Sequence, residues 1–241
     1  MNQIKSYFYL YVKIILSDKV PFLWTIGLPL LIGFMYGPKG DDTFGRTEFF
    51  TFISLFWVYI ILSTYLNGIG LQLARMREQG LMKTYIMISG NKYTFVFAVI
   101  LAQIMFAGIS LLVFTSIMTL YYGYFSIVIL LVPLLILLIS IPFAIASAAV
   151  TLLPAKISSM TTLANILLFP LFLLARELPD HFLSFINPFF TMEQAALGIL
   201  DATLQVGLDS HLSFTIIFII IYFVLGVISL RRLNLISLVT R

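Results

Sequence analysis

Six runs of apolar residues, roughly 20 to 36, 49 to 71, 94 to 119, 126 to 152, 160 to 176 and 212 to 230, divide this chain, and its charges collect between them. A helix rises about 1.5 Å per residue, so runs of this length suit a hydrocarbon core about 30 Å thick. None shows the alternation of a barrel strand, and in lipid every backbone polar group needs an internal partner, so the pattern predicts six transmembrane helices. Pro29, Pro133, Pro142 and Pro170 fall inside these runs, where a proline is expected to kink rather than break a helix packed among neighbours. Residues 1 to 19 read differently. Ile4, Tyr7, Phe8, Tyr11, Ile14 and Ile15 recur at helical spacing beside Lys5, Lys13 and Lys19, which predicts an amphipathic helix lying in the interface. Lysines within the apolar run, and no small-residue cleavage site, argue against a cleaved signal peptide.

Composition agrees. The 241 residues are 61% hydrophobic and 10% charged, against roughly 25% charged in soluble domains, and the mean hydropathy is +1.08. Spans of about 20 residues each fill the chain and leave no room for a sizeable soluble domain. The expected fold class is an all-α membrane protein, a single transmembrane domain over residues 1 to 241. Cysteine is absent, which excludes disulfides, thiol nucleophiles and cysteine-based metal sites.

A net charge of +4 could point to nucleic acid, but the distribution of the charges says otherwise. With the N-terminus inside, Lys5, Lys13, Lys19, Arg75, Arg77, Lys83, Lys92, Lys156, Arg231, Arg232 and Arg241 are cytoplasmic, and only Lys39, Arg46 and Arg176 lie outside. This obeys the positive-inside rule and places both termini in the cytoplasm. Of the acids only Asp18 and Glu78 lie inside. The basic character records topology, and no nucleic-acid partner is expected. Two connections are long enough to carry a function: the inside loop of residues 72 to 93 and the outside segment of residues 177 to 211.

Candidate chemistry is sparse. Ionisable clusters at membrane depth are costly and mark intramembrane catalysis or proton relays, and the spans have none. They hold hydroxyls and amides instead, among them Ser54, Ser63, Thr64, Asn67, Gln103, Ser110, Thr115, Ser140, Ser147 and Thr151, which read first as interhelical hydrogen-bond partners. Ser140, Ala144 and Ala148 are small residues spaced by four and permit close helix packing, within a protomer or between two. His181 and His211 lack metal-ligand spacing, so no metal site is expected. Gly40 to Thr47 resembles a phosphate loop, but Arg46 replaces the required lysine and no strand precedes it. An enzyme is therefore not expected, and energy for any transport has to come from a partner chain.

The inside loop reads Arg77-Glu78-Gln79-Gly80-Leu81-Met82-Lys83-Thr84-Tyr85-Ile86-Met87-Ile88-Ser89-Gly90-Asn91-Lys92-Tyr93 between the second and third spans. This run resembles the ABC-2 type transporter permeases, in which a basic residue, a glutamate and a glycine open this loop before a hydrophobic turn. Ser89-Gly90 stands where many members have a proline, a mild departure. A second resemblance is Leu178-Pro179 followed by Ile186-Asn187-Pro188-Phe189, similar to the family's motif before a short re-entrant hairpin. Together with the interfacial helix and the spans, the resemblance covers essentially the whole chain.

The resemblance implies the membrane subunit of a bacterial ATP-binding cassette exporter in the plasma membrane. Two permease copies, or one each of two similar permeases, would pair with a cytoplasmic ATPase dimer. ATP and Mg would be used by that partner, and this chain would bind no cofactor. Arg77, Glu78, Gly80, Leu81, Lys83 and Thr84 would form the cytoplasmic coupling helix. Pro179, Asn187, Pro188 and Phe189 would belong to an extracellular re-entrant hairpin, about residues 179 to 210, that gates the path before the last span. The mostly apolar and aromatic composition of the spans suits an amphipathic or hydrophobic cargo, a peptide or antibiotic, with membrane lipids as further partners. The alternatives are an ABC exporter of a lipid-linked glycan or lipid, an ion-coupled secondary transporter built on carbonyls and hydroxyls, and an ATPase-binding sensor or immunity subunit that moves nothing.

Overall fold

A computed structural model describes residues 2–17, 19–37, 45–177, 182–205 and 210–233. Among these the chain is helical with no strand. Helix α1 spans Asn2–Ser17 and α2 spans Lys19–Tyr36. Helix α3, Arg46–Tyr65, runs without interruption into a π-helical segment, Leu66–Leu71, and then into α4, Gln72–Glu78. A two-residue turn leads to α5, Leu81–Ser89, followed by α6, Lys92–Tyr121. Next come α7, Ile127–Ile139, α8, Ile141–Ala146, and a 3₁₀ segment, Ser147–Leu152. Helix α9 is Ile157–Glu177, a 3₁₀ turn covers Phe182–Ile186, α10 is Pro188–Leu204 and α11 is Leu212–Arg231.

Four of these helical stretches are long and apolar enough to cross a membrane: Thr47–Glu78, Tyr93–Tyr121, Ile157–Ala175 and Leu212–Arg231. The pair Ile127–Ile139 and Ile141–Leu152, bent by 44°, makes a fifth if the two together count as one span. The bend falls at Ser140, with Pro142 in the first turn of α8. Proline has no N–H to continue the ladder onto the Leu138 carbonyl. Ser140 takes up the disruption: its hydroxyl donates to the Leu137 carbonyl at 2.7 Å and lies 2.8 Å from the Tyr65 hydroxyl. Pro29, Pro133 and Pro170 lie inside helices that stay continuous.

Burial separates the centre of the bundle from its rim. In the most apolar window of each helix, 78% of the α3 stretch and 61% of α6 is buried, against 11% of α9 and 22% of α11. Some polar groups at the centre are paired across helices, whereas the buried hydroxyls of Thr64 and Ser110 have no hydrogen-bond partner. Trp57 and Thr115, both fully buried, join α3 to α6 through an indole N–H to hydroxyl bond of 2.8 Å. Thr115→Val keeps the shape and removes the acceptor, so it is expected to cost about 1–3 kcal/mol, the penalty of a buried donor without a partner. A thermal melt of the purified protein in detergent checks this, and an unchanged midpoint would remove the bond from the account of stability.

Two stretches of altered pitch cross beside the centre. A β-carbon built on Gly70, in the π segment, would stand 2.8 Å from the carbonyl oxygen of Ser147, the first residue of the 3₁₀ segment after α8. Only glycine permits that approach. The crossing sets the register of both strands of chain beyond it, because two turns past Gly70 lies Arg77 and one turn past Ser147 lies Thr151. Ser140, Ala144 and Ala148 are fully buried within the chain. Beside them, a β-carbon on Gly226 of α11 would lie 2.6 Å from the backbone nitrogen of Ala146. This small-residue stripe therefore serves packing inside the chain.

Candidate functional site

The stretch of residues 72 to 93 is largely helical. Leu73, Ala74, Met76 and Arg77 are buried, so tertiary contacts carry the α3 helix on through α4 to Glu78. Gly80 then takes a left-handed conformation, φ +72°, which reverses the chain into α5. Gly90, φ +69°, ends α5. Asn91 caps α6, its side-chain oxygen accepting the Tyr93 N–H at 2.9 Å. The outcome is a short helical hairpin at the end of the α3–α4 rod, with α5 packed against α4 and α6.

Two adjacent residues of α4 brace this hairpin. Arg77 is 2% exposed. Its guanidinium donates from Nη1 to the Thr151 carbonyl and from Nη2 to the Leu153 carbonyl, the latter at 3.2 Å. Those carbonyls close the 3₁₀ segment, where a helical stretch leaves its last acceptors unsatisfied and a cation is favoured by the helix dipole. Glu78 does the converse. Its carboxylate accepts the N–H of Ile157 at 2.7 Å, the first residue of α9, where free N–H groups favour an anion. One arginine and one glutamate thus cap the end of one helical stretch and the start of the next, and tie both to α4.

Aromatic rings brace the other side. Tyr85 of α5 stacks on Phe95 of α6 at 5.0 Å, and Tyr7 of α1 meets both rings edge-on at 5.8 Å. The Tyr7 hydroxyl donates to the Tyr85 carbonyl at 3.2 Å, and the Tyr11 hydroxyl to Met76 Sδ at 3.2 Å. Burial, with Tyr85 and Tyr7 adding to it, pushes the Tyr11 hydroxyl far above the ordinary phenol range, so it stays a donor. Met82 is fully buried beneath α5, while Leu81, Lys83, Thr84, Met87 and Ile88 are exposed. Helix α5 is therefore held on one side and offers a largely apolar face, with a lysine, on the other.

The candidate gate residues divide. Pro179 lies outside the described residues. Asn187 caps α10 by accepting the Phe189 N–H at 3.0 Å, and its amide donates to the Leu171 carbonyl of α9 at 2.8 Å. Pro188 opens α10, where a missing N–H costs nothing. Phe189 is buried and meets Phe172 of α9 edge-on at 5.9 Å. Helix α10 packs among α3, α7, α9 and α11, with Thr191, Glu193 and Gln194 buried. Tyr222 of α11, which the sequence pattern did not single out, donates to the Ile186 carbonyl at 2.6 Å and fastens the turn before α10. The available signal was a lone tyrosine in an otherwise aliphatic and phenylalanine-rich run, since a tyrosine hydroxyl in such a setting needs a partner.

Between α9 and the α3–α8–3₁₀ wall lies a cleft of about 590 Å³ that runs from Pro154 and Ala155 past Met160 and Leu167 to Phe189 and Tyr222. Three of the hydroxyls on its wall are engaged within the protein: Tyr65 with Ser140, Tyr222 with Ile186, and Ser147 with the Ala144 carbonyl at 2.7 Å. What the cleft offers an occupant is almost wholly hydrocarbon. In comparisons with known proteins, no family model, no curated protein and no solved structure matches this chain.

Proposed function

We propose that this chain is the permease subunit of an ATP-driven ABC-2 type exporter. The observation that carries this reading is α5, a short helix that follows the reversal at the end of a long rod, braced by Arg77, Glu78 and the Tyr85–Phe95 stack, with Leu81, Lys83, Thr84, Met87 and Ile88 left outward. A helix held this way passes a push on its outer face to α3–α4, to the 3₁₀ segment and to α9, which is what coupling to an ATPase requires. Contact with the ATPase falls to Leu81, Lys83 and Thr84. Arg77 and Glu78 transmit, and Gly80 makes the turn. In this reading α2, 18 residues and about 27 Å long, is a further span, bringing the total to six. The end of the bundle that carries Arg75, Lys83, Lys156 and Arg231 is cytoplasmic. The cargo is amphipathic or hydrophobic, a peptide or antibiotic, moved by two permease copies together with an ATPase dimer.

The test is affinity purification of the tagged protein from its native membrane in mild detergent, with mass spectrometry of what accompanies it. An ATP-binding cassette protein is expected with the wild type. Leu81→Glu/Met87→Glu, which alters only exposed positions, is expected to lower its recovery about tenfold or more, the scale of losing an interface anchor. If no such ATPase accompanies the wild type under conditions that preserve a control complex, the proposal fails, and transport that persists without ATP would favour ion coupling. ATPase stimulation by a cargo that is never moved would mark a sensor instead.

A further inference from the structure

From the cleft beside α9 we infer, independently of the transport reading, a binding site for one anionic phospholipid of the leaflet at the basic end of the bundle. The cavity of about 590 Å³ falls within the roughly 300–1,000 Å³ typical of small-ligand sites. Along α9 it is lined from Ser159 to Leu171, on the order of 18 Å of helix, close to the depth of one leaflet of a core about 30 Å thick. Of the lining hydroxyls, Tyr65, Tyr222 and Ser147 are engaged with partners inside the protein and Ser159 lies toward the start of α9, so along most of the cleft a polar ligand would find little to bond, whereas an acyl chain needs no partner. Helix α9 is sparsely covered, 11% buried in its most apolar window, which leaves the cleft a route from the surrounding lipid.

Charge selects the headgroup. At the end of the cleft lined by Leu153, Pro154 and Ala155, the next residue is Lys156, which is exposed. Glu78 bonds the N–H of Ile157 there, and Arg75, also exposed, lies one turn before Glu78 on α4. Arg77 is fastened to the Thr151 and Leu153 carbonyls beside them. The exposed Arg75 and Lys156 and the buried Arg77 outweigh Glu78, which leaves this end of the hydrocarbon slot net positive. Basic pockets between membrane helices recognise anionic headgroups in this manner. The site takes one acyl chain in the cleft and the phosphate at Arg75 and Lys156, and the bound lipid fills the gap that leaves α9 loosely packed.

The experiment is native mass spectrometry of the full chain, equilibrated in mild detergent with equal amounts of phosphatidylglycerol and phosphatidylcholine of identical chains. The expected result is one retained lipid per chain, with phosphatidylglycerol preferred about 25-fold, about fivefold for each basic side chain near the headgroup. Arg75→Gln/Lys156→Gln should bring the two lipids close to equal retention. Ala164→Phe, which fills the cleft, should reduce retention of both, and Leu163→Trp does the same from a position already exposed, should the first variant not fold. Equal retention of the two lipids by the wild type, unchanged retention in a folded cleft-filled variant, or displacement of the lipid by inorganic phosphate alone would each overturn the site.

Discussion

Arg77→Leu is expected to lower the stability of the purified protein by about 3 kcal/mol, within the range for losing hydrogen bonds to a charged group. The wild-type guanidinium holds two main-chain carbonyls, Thr151 and Leu153, at the end of the 3₁₀ segment. Thr151 is buried, so its carbonyl would have little access to water once the donor is gone. Leu153 is exposed and can be resolvated, which keeps the cost below that of two buried losses. Removing the charge also relieves the cost of burying it, so the net effect is smaller than the gross strength of the bonds. Arg77→Lys keeps the cation but presents no planar fork, and is expected to recover about half. Hydrogen exchange separates loss of the brace from a general loss of packing: amides from Leu152 to Met160 should exchange faster in Arg77→Leu at temperatures where those of α3 and α6 remain protected. Equal melting and equal exchange in that segment would show that the brace carries no load. If the chain works as proposed, the same variant still binds its ATPase through the outer face of α5 but transmits poorly, so ATP hydrolysis continues while transport falls.

Gly226→Ala carries the second large effect. A single methyl there would stand 2.6 Å from the Ala146 nitrogen, 2.6 Å from the Ile145 carbonyl carbon and 2.7 Å from Ile145 Cγ2. Two of those three atoms are backbone, and the helix that holds them is already fixed by Ser140 and by the Phe143–Tyr222 ring contact at 4.5 Å. Neither helix can yield locally, so α11 has to move away from α8. That separation is expected to cost about 3 kcal/mol, the upper range for overpacking. It should also loosen the Tyr222 bond that holds the turn before α10. Gly27→Ala is the control, since its β-carbon would meet only Leu23 Cδ2 at 3.6 Å, and there the helix is expected to gain about 0.5–1 kcal/mol. Gly68→Ala lies between, because the clash is with the movable side-chain amide of Gln103. A melting series over the three variants tests the ordering, and a Gly226→Ala protein as stable as wild type would mean that the two helices do not meet as described.

The two effects share a cause. With lipid outside the bundle, burying apolar surface between helices gains little, so close approach and hydrogen bonds set how the helices associate. Polar and small residues in this chain therefore carry structural consequences larger than their number suggests. Trp57 with Thr115, Tyr65 with Ser140, Tyr222 with Ile186 and Arg77 with Thr151 each join different helices. Function, on the proposed reading, uses the same joints: the brace that stabilises the hairpin is also the path by which a push on α5 would travel.

By itself the amino-acid sequence determined that this chain is helical and lipid-compatible, because apolar runs of span length leave the backbone no other way to satisfy its polar groups. Helices such as α6 and α11 could be placed closely, since their ends coincide with the first charges or turn residues outside the apolar run. Gly80 could be read as a break because a reversal between two helices needs a left-handed residue, whereas Asn187-Pro188 entered through a family resemblance alone, and the structure makes it the start of α10, a position that suits both residues. Only the tertiary structure decided that residues 72 to 78 continue the α3 helix, since their burial depends on partners from distant parts of the chain. The same holds for the bend at Ser140, stabilised by a tyrosine 75 residues away, and for Arg77 turning inward to carbonyls more than 70 residues on. Hydrophobic pattern is local and survives in one dimension, whereas which carbonyl an arginine reaches depends on how two helices cross, and that crossing is set by Gly70 against Ser147.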